Sequence, residues 1–465
     1  MDGFYCFVVA GVTEGFFDDG LEGFLLITSR KRKRAAEHLL NKGIVQVIAV
    51  LGIVQSAVQV GGAVIEGREK ETELRHLDYP VTDAVLEAAL QDVYKRQGTE
   101  QLRCVLQKRE AAMIRYLDNR EKGLTKELWR EAFPEDSEDF LDYYDHEKMK
   151  ENQVLVREEA DKIQSMLHLN PYHLQVRNAE WDIDYIVAVA TRADMRHRGY
   201  MRSLLLQMME DMRKRQLPFC FLMPAAEAIY TPFQFAFVYD QPVWKLKEQV
   251  KLKRAVIEVT EALRLAADWM QHWMEQRYEL FARRDEAYVN SLLQEVKSEM
   301  GSLEFLYDQD RLVGIQGVWG REKKEQRLLY AEDGYTELEM KKPAIMARII
   351  TPETFVPVIR LREEAQPEQM KICLELDDPL IFKNTGKFIW TLDHAGSQLE
   401  RLTSRIENME ETLAQTDWEN DRVLHLHIGE LTQWLFGYRV PEAVKQYAGT
   451  EQIDVLKQIF LDEIV

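Results

Sequence analysis

The chain has 465 residues, 46% of them hydrophobic and 30% charged, with a formal net charge of -19. That length suits roughly two to four domains with ample apolar cores. A surface this acidic repels nucleic-acid phosphates and draws cationic partners, and the mean hydropathy of -0.36 is that of an ordinary soluble protein.

The four cysteines, Cys6, Cys104, Cys220 and Cys373, are scattered and have neither metal-ligand nor disulfide-framework spacing. They read as the thiols of a reduced, cytoplasmic chain without a metal. Residues 1–112 differ in character from the rest. They hold a basic run, Lys31–Arg34, an apolar stretch, Ile44–Ile65, and the run Asp92–Gln97, which has the look of translated adaptor sequence. Gln46, Gln55, Ser56 and Gln59 interrupt the apolar stretch, so it reads as a buried or β-like segment, not a membrane span. The whole region is read as an atypical extension, artefactual or disordered, with the natural start at Met113.

From Met113 the pattern is legible. Ile114–Tyr116 reads as a strand, and Lys122–Phe133 and Ser137–Met149 as helices. Gln153–Arg157 and Ile163–Leu169 read as paired strands, with Asn170-Pro171 marking a turn. His173–Arg177 and Trp181–Ala190 form a hairpin about Asn178-Ala179-Glu180. Tyr200–Gln216 is an amphipathic helix, Leu217–Met223 a buried strand, Ala225–Tyr230 a helical turn and Phe233–Tyr239 another strand. A second unit, 242–338, has helices at Ala262–Arg283 and Asp285–Glu299 and strands at Leu303–Tyr307 and Leu312–Trp319. A third, 339–465, has strands at Met370–Leu376, Phe388–Leu392 and Arg422–Ile428, and helices at Gln398–Gln415 and Glu430–Leu435, with Gly437 as the stop. At the chain end Ile453, Leu456, Phe460 and Ile464 fall on one helical face.

The chemistry concentrates between Val187 and Leu205. A strand leads through Arg196-His197-Arg198-Gly199-Tyr200-Met201-Arg202 into a helix. The first turn of a helix leaves N–H groups unpaired and favours negative charge, so a diphosphate fits there. Gly199 removes a side chain that would block close approach, and Arg196, His197, Arg198 and Arg202 add positive charge. This run resembles the acetyl-CoA motif of the GNAT superfamily, [QR]-x-x-G-x-[GA], with Met201 departing from the small last residue. The resemblance implies an α/β (α+β) fold in which the strand ending near Thr191 splays from Leu217–Met223. The pantetheine arm of acetyl-CoA would pair in that gap, with Ile186–Val189 facing the thioester and Val187 and Val189 as cofactor-binding residues.

The segment Ala225–Phe235 then looks like the Eis (enhanced intracellular survival) family, and the likeness extends over about Met113–Val465. It implies a catalytic unit at 113–241, a second GNAT-like unit at 242–338 with mixed sheets and flanking helices, and a sterol-carrier-protein-like α+β unit at 339–465. It implies Tyr230 as general acid and the carboxylate of Val465 as base, with a hexamer as the assembly. An α-carboxylate is a poor base in water, at about 3.3–3.7, unless burial raises it. The expected activity is acetyl transfer from acetyl-CoA to a primary amine of a cationic acceptor: an aminoglycoside, a polyamine or a lysine side chain. Neither nucleic acid nor membrane is an expected partner. The rivals are a non-catalytic acyl-CoA sensor and an apolar-ligand-binding protein on a degenerate scaffold.

Other signals read as structure. His425 and His427 lie on an exposed strand face, Asp377-Asp378-Pro379 is a turn, Cys220 is core, and Met208, Met209 and Met212 are packing. The acidic run Pro134–Asp139 either rims the acceptor entrance or starts a solvated helix.

Overall fold

The computed structural model describes residues 5–11, 24–27, 45–50, 112–258, 260–402 and 423–462. The chain divides into two compact units, 1–113 and 114–465. In the first, β1 (Tyr5–Gly11), β2 (Phe24–Ile27) and β3 (Val45–Val50) form an antiparallel sheet in the order β2-β1-β3. The remainder of the apolar stretch, the basic run and Asp92–Gln97 lie outside the described residues.

β4 (Ala112–Tyr116) crosses the division and leads the chain into the second unit. Helices α1 (Lys126–Ala132) and α2 (Glu138–His146) come after it. Ser137 caps α2 by accepting from the Phe140 N–H at 3.0 Å. The acidic run spends its charges locally: Asp136 accepts from the Trp129 indole at 2.7 Å, and Asp139 pairs with Arg321. Three antiparallel strands come next, β5 (Gln153–Glu159), β6 (Lys162–Val176) and β7 (Ala179–Thr191). The expected turn at Asn170-Pro171 is absent, because both residues lie inside the 15-residue strand β6. Proline survives there because the far edge of β6 passes from one partner to another. β5 pairs up to Leu169, and the next partner begins at Leu174. The hairpin turns at Arg177-Asn178, one step before the expected place.

Helix α3 (Tyr200–Lys214) buries Leu204, Leu205, Met208, Met209 and Met212, the residues four apart that its periodicity singles out. They pack on Leu167, Leu169, Ile186, Cys220 and Leu222. Next come β8 (Phe219–Leu222), the single turn α4 (Glu227–Tyr230), β9 (Ala236–Leu246) and β10 (Lys253–Val256). Helix α5 (Thr260–Glu275) stops short of the expected Arg283, because Leu280–Ala282 forms strand β11. Helix α6 (Glu286–Ser298), capped by Asp285, precedes β12 (Ser302–Asp308), β13 (Arg311–Trp319), β14 (Glu325–Ala331) and β15 (Thr336–Ile349).

The last part holds α7 (Pro352–Phe355), β16 (Arg360–Leu361), β17 (Gln369–Asp377), β18 (Gly386–Asp393) and β19 (Ser397–Arg401). β20 (Val423–His427), α8 (Ile428–Leu435), α9 (Glu442–Gln446), β21 (Ile453–Asp454) and β22 (Ile459–Phe460) complete it. Of the expected helix Gln398–Gln415, Gln398–Arg401 is strand and 403–415 lies outside the described residues; Ile453–Asp462 near the chain end runs extended instead of helical. Gly437 does stop α8. Its φ is +64, and a Cβ there would come 2.0 Å from the Leu456 carbonyl oxygen.

A nine-stranded sheet organises the unit, in the order β22-β11-β6-β7-β8-β15-β9, with β5 on β6 and β4 on β5. The expected boundaries at 241/242 and 338/339 fall inside β9 and β15, which pair with each other. Four-stranded sheets β10-β12-β13-β14 and β19-β18-β17-β20 flank it. Among the described residues no helix is long and apolar enough to cross a membrane.

Candidate functional site

β7 and β8 run parallel but pair at only two positions, Tyr185 with Phe221 and Ile186 with Leu222. Beyond these the strands part. At that point β7 carries a bulge. Its register with β6 shifts between Met166 and His168, and Ala188 takes φ 51. A bulge turns backbone groups out of the ladder and sharpens the local twist. Val187 and Val189, both half-buried, flank it. The alternation Val-Ala-Val-Ala carries no sign of a bulge, so sequence reasoning missed Ala188.

After β7 the chain makes a short turn and enters α3 at Gly199, whose φ is +75. A Cβ at Gly199 would meet nothing within 4 Å, so the backbone there lies open. The first bond of the helix runs from the Ser203 N–H to the Gly199 carbonyl at 3.0 Å. The N–H groups of Tyr200, Met201 and Arg202 precede it as first-turn donors. Arg196, His197, Arg198 and Arg202 are exposed around this end. Two of them are steadied by carbonyls, Arg196 by Thr191 at 3.3 Å and Arg198 by Asp194 at 3.2 Å. Arg202 lies 5.8 Å from the centre of the Phe233 ring. Tyr200 contributes backbone only. Its ring is buried under the Arg157 guanidinium at 4.3 Å, and its hydroxyl donates to Glu159. Met201 packs into the core beneath α3. One basic residue is already committed, since Arg192 pairs with Glu127 and Glu131 of α1.

Beyond β8, Ala226, Glu227, Ala228, Thr231 and Pro232 line an open hollow of about 680 Å³. Tyr230 ends α4 beside it, with its ring packed edge-on to Phe235 at 6.1 Å. Among the described residues no hydrogen bond engages the Tyr230 hydroxyl. Burial pushes this phenol up to about 12, so it holds its proton across the physiological range. Val465, the expected base, lies outside the described residues.

On the other face of β6, His168 sits opposite Val187 in the register. It is fully buried among Trp129, Tyr144, Asn152 and the Lys122 ammonium. Lys122 donates to the carbonyls of Met149 and Asn152 at 2.7 and 2.5 Å. Nothing in the sequence pattern marked this polar cluster. Cys220 is buried core. His425 and His427 are exposed and pair with Glu375 and Asp377 at 3.3 and 3.0 Å. Among the described residues no group of three or more His, Cys, Asp or Glu side chains could hold a metal.

Parts of the chain are similar to known families and folds. Residues 113–238 match the family model described as an acetyltransferase (GNAT) domain, and residues 356–463 match that of a sterol carrier protein domain. No curated protein matches the sequence. Among solved structures the chain is similar to a probable N-acyltransferase from Enterococcus faecalis, at 14% identity and TM-score 0.58. The match covers 74% of this chain and 94% of that one. It is similar to a GCN5-related N-acetyltransferase from Anabaena variabilis, at 13% identity and TM-score 0.55, covering 74% and 94%. It is also similar to Eis1 from Mycobacterium abscessus, at 10% identity and TM-score 0.55, covering 76% and 99%. At such identities these likenesses speak to the fold.

Proposed function

For a chain that carries an acetyltransferase (GNAT) domain ahead of a sterol carrier protein domain, we propose transfer of an acetyl group from acetyl-CoA to the primary amine of a cationic acceptor. The observation that carries this reading is the parting of β7 from β8 at a bulge, directly ahead of an open helix start ringed by exposed arginines. The pantetheine arm adds to the free edge of β7 as an extra strand would. The diphosphate settles on the N–H groups of Tyr200, Met201 and Arg202, with Arg196, His197, Arg198 and Arg202 around it.

The acceptor ammonium first gives up a proton to solvent or a nearby base. Its nitrogen then forms a bond to the acetyl carbon, and the carbon–sulfur bond breaks. Backbone N–H groups at the Val187–Val189 bulge stabilise the oxyanion that forms between these events. The Tyr230 hydroxyl gives its proton to the departing thiolate, and the surplus proton on the new amide nitrogen returns to the phenolate through solvent, leaving neutral amide and free thiol. Burial pushes this phenol up to about 12, so at neutral pH it starts the reaction protonated, as a donor must. The net charge of -19 steers polyamines, aminoglycosides or lysine-rich segments toward the protein.

The test is release of free thiol from acetyl-CoA in the presence of spermidine, kanamycin or a lysine peptide. Amine-dependent release that falls about a hundredfold in kcat for Tyr230→Phe is the expected result. Acetyl-CoA binding with no release from any amine would move the assignment to a non-catalytic acyl-CoA sensor.

A further inference from the structure

The turn that carries Tyr230 is held from behind by a charge that the proposed chemistry does not use. Its backbone closes locally, with the Phe235 N–H on the Tyr230 carbonyl at 3.3 Å and the Gln234 N–H on the Thr231 carbonyl at 2.9 Å. The Phe233 carbonyl, between them, accepts from Arg348 Nε at 2.9 Å. Arg348 lies on β15 opposite Cys220 of β8 and is wholly buried. Its remaining nitrogens reach the Ile349 carbonyl at 3.2 Å and Asp378 Oδ1 at 2.6 Å.

Asp378 belongs to the region matched by the sterol carrier protein model, and it too is fully buried. Its carboxylate accepts three further hydrogen bonds. Oδ1 also accepts from the N–H groups of Leu380 and Ile381, both at 3.0 Å, and Oδ2 accepts from Asn384 at 2.9 Å. Leu380 and Ile381 then pack into the same apolar cluster as Tyr230, Phe233 and Phe235. The neighbouring N–H of Ile349 donates to Thr432 of α8 at 3.1 Å. So the guanidinium is a fork with one prong on the Tyr230 turn and another on the sterol carrier region.

A buried charge pair is a costly way to glue two surfaces, since apolar residues of similar volume often serve as well. What it supplies beyond glue is direction, because a planar guanidinium fixes both partners in one geometry. We propose that Arg348 is a positioning residue for Tyr230: anchored on Asp378, it holds the Phe233 carbonyl and sets the turn from which the phenol reaches the departing thiol. This rests on the reading of Tyr230 as the acid. The sterol carrier region thereby acts on acetyl transfer through Asp378.

The experiment compares Arg348→Lys, Asp378→Asn and Tyr230→Phe, alone and in pairs, in the full chain, with thermal melting to establish folding. A lysine ammonium keeps the charge but cannot serve the Phe233 carbonyl and Asp378 in the same plane. Arg348→Lys should lower kcat about tenfold to a hundredfold, with KM for acetyl-CoA within about twofold. Added to Tyr230→Phe it should lower kcat no further. Asp378→Asn keeps Oδ1 as acceptor for Arg348, Leu380 and Ile381 and removes the charge, so it covers the case of an Arg348→Lys protein that does not fold. Its kcat should move in the same direction by less.

A folded variant of either kind with unchanged kcat overturns the inference, as does a loss that multiplies with that of Tyr230→Phe. In both cases the acid assignment survives. Unchanged kcat in Tyr230→Phe itself, or no turnover of any amine by the unaltered protein, overturns the acid assignment and the inference with it.

Discussion

Two parallel seams in the large sheet start alike and end differently. β7 and β8 pair at two positions, and so do β11 and β22, Leu280 with Ile459 and Phe281 with Phe460. Past the second seam the strands are clamped. Arg284 meets Asp462 at 2.6 Å, both buried, and Tyr330 donates its hydroxyl to the same carboxylate. Beside them Arg327 pairs with Glu295 at 2.6 Å. Past the first seam the described residues form no such clamp. A bulge turns the backbone aside, and the turn that follows carries the exposed Arg196 and Arg198. The residues just past a short parallel pair therefore decide whether it becomes a closed joint or a cleft.

The largest break in this contrast comes from the closed seam. Asp462→Ala removes the carboxylate shared by Arg284 and Tyr330 and should cost about 3–5 kcal/mol, read from urea unfolding. A loss below about 1 kcal/mol would show that the clamp is ornamental.

The floor of the open seam gives the next effect. Burial, with the Lys122 ammonium alongside, pushes His168 down to about 3 from an ordinary value near 6.5. Between those values the unfolded chain takes up a proton that the folded one refuses. Stability from this site is complete above about pH 6.5 and is lost as the pH falls toward 3, at up to about 1.4 kcal/mol per unit. Urea midpoints at pH 7 and pH 5 should differ less in His168→Gln than in the unaltered protein. Equal acid slopes in the two would contradict a buried neutral imidazole.

Gly199→Ala sharpens the mouth of the cleft. Space for the methyl is open, but a φ of +75 strains an L-residue by about 1–2 kcal/mol. A modest drop in melting temperature should accompany a raised KM for acetyl-CoA and little change in kcat. A lowered kcat with unmoved KM would place the diphosphate elsewhere.

Local patterns were legible in the sequence, and long-range joins were not. The amphipathic pattern of Tyr200–Gln216 predicted α3, and Met208, Met209 and Met212 lie on its buried face as expected. The basic turn and Gly199 were found because a helix start is a local feature. The Asn-Pro pair misled, because its turn propensity yields where the strand edge has no partner. The chain end misled for a different reason. Ile453, Leu456 and Phe460 are spaced like a helical face, yet each is buried by a separate neighbour along an extended path. Leu361 pairs with Ile453, the Leu456 N–H meets the Leu435 carbonyl, and Phe281 pairs with Phe460. Arg348 and Asp378 lie thirty positions apart, and nothing in either neighbourhood announces the other.

The burial of Cys220 has a use outside catalysis. It sits in β8 between the parting strand β7 and the Arg348 side of β15, and burial pushes its thiol well above the ordinary range. A thiol reagent can reach it only when the core between α3 and the sheet opens. Its labelling rate is thus a clock for the opening of the core that backs the cleft. Slower labelling with acetyl-CoA bound would measure, in free-energy terms, how firmly the ligand keeps that core shut.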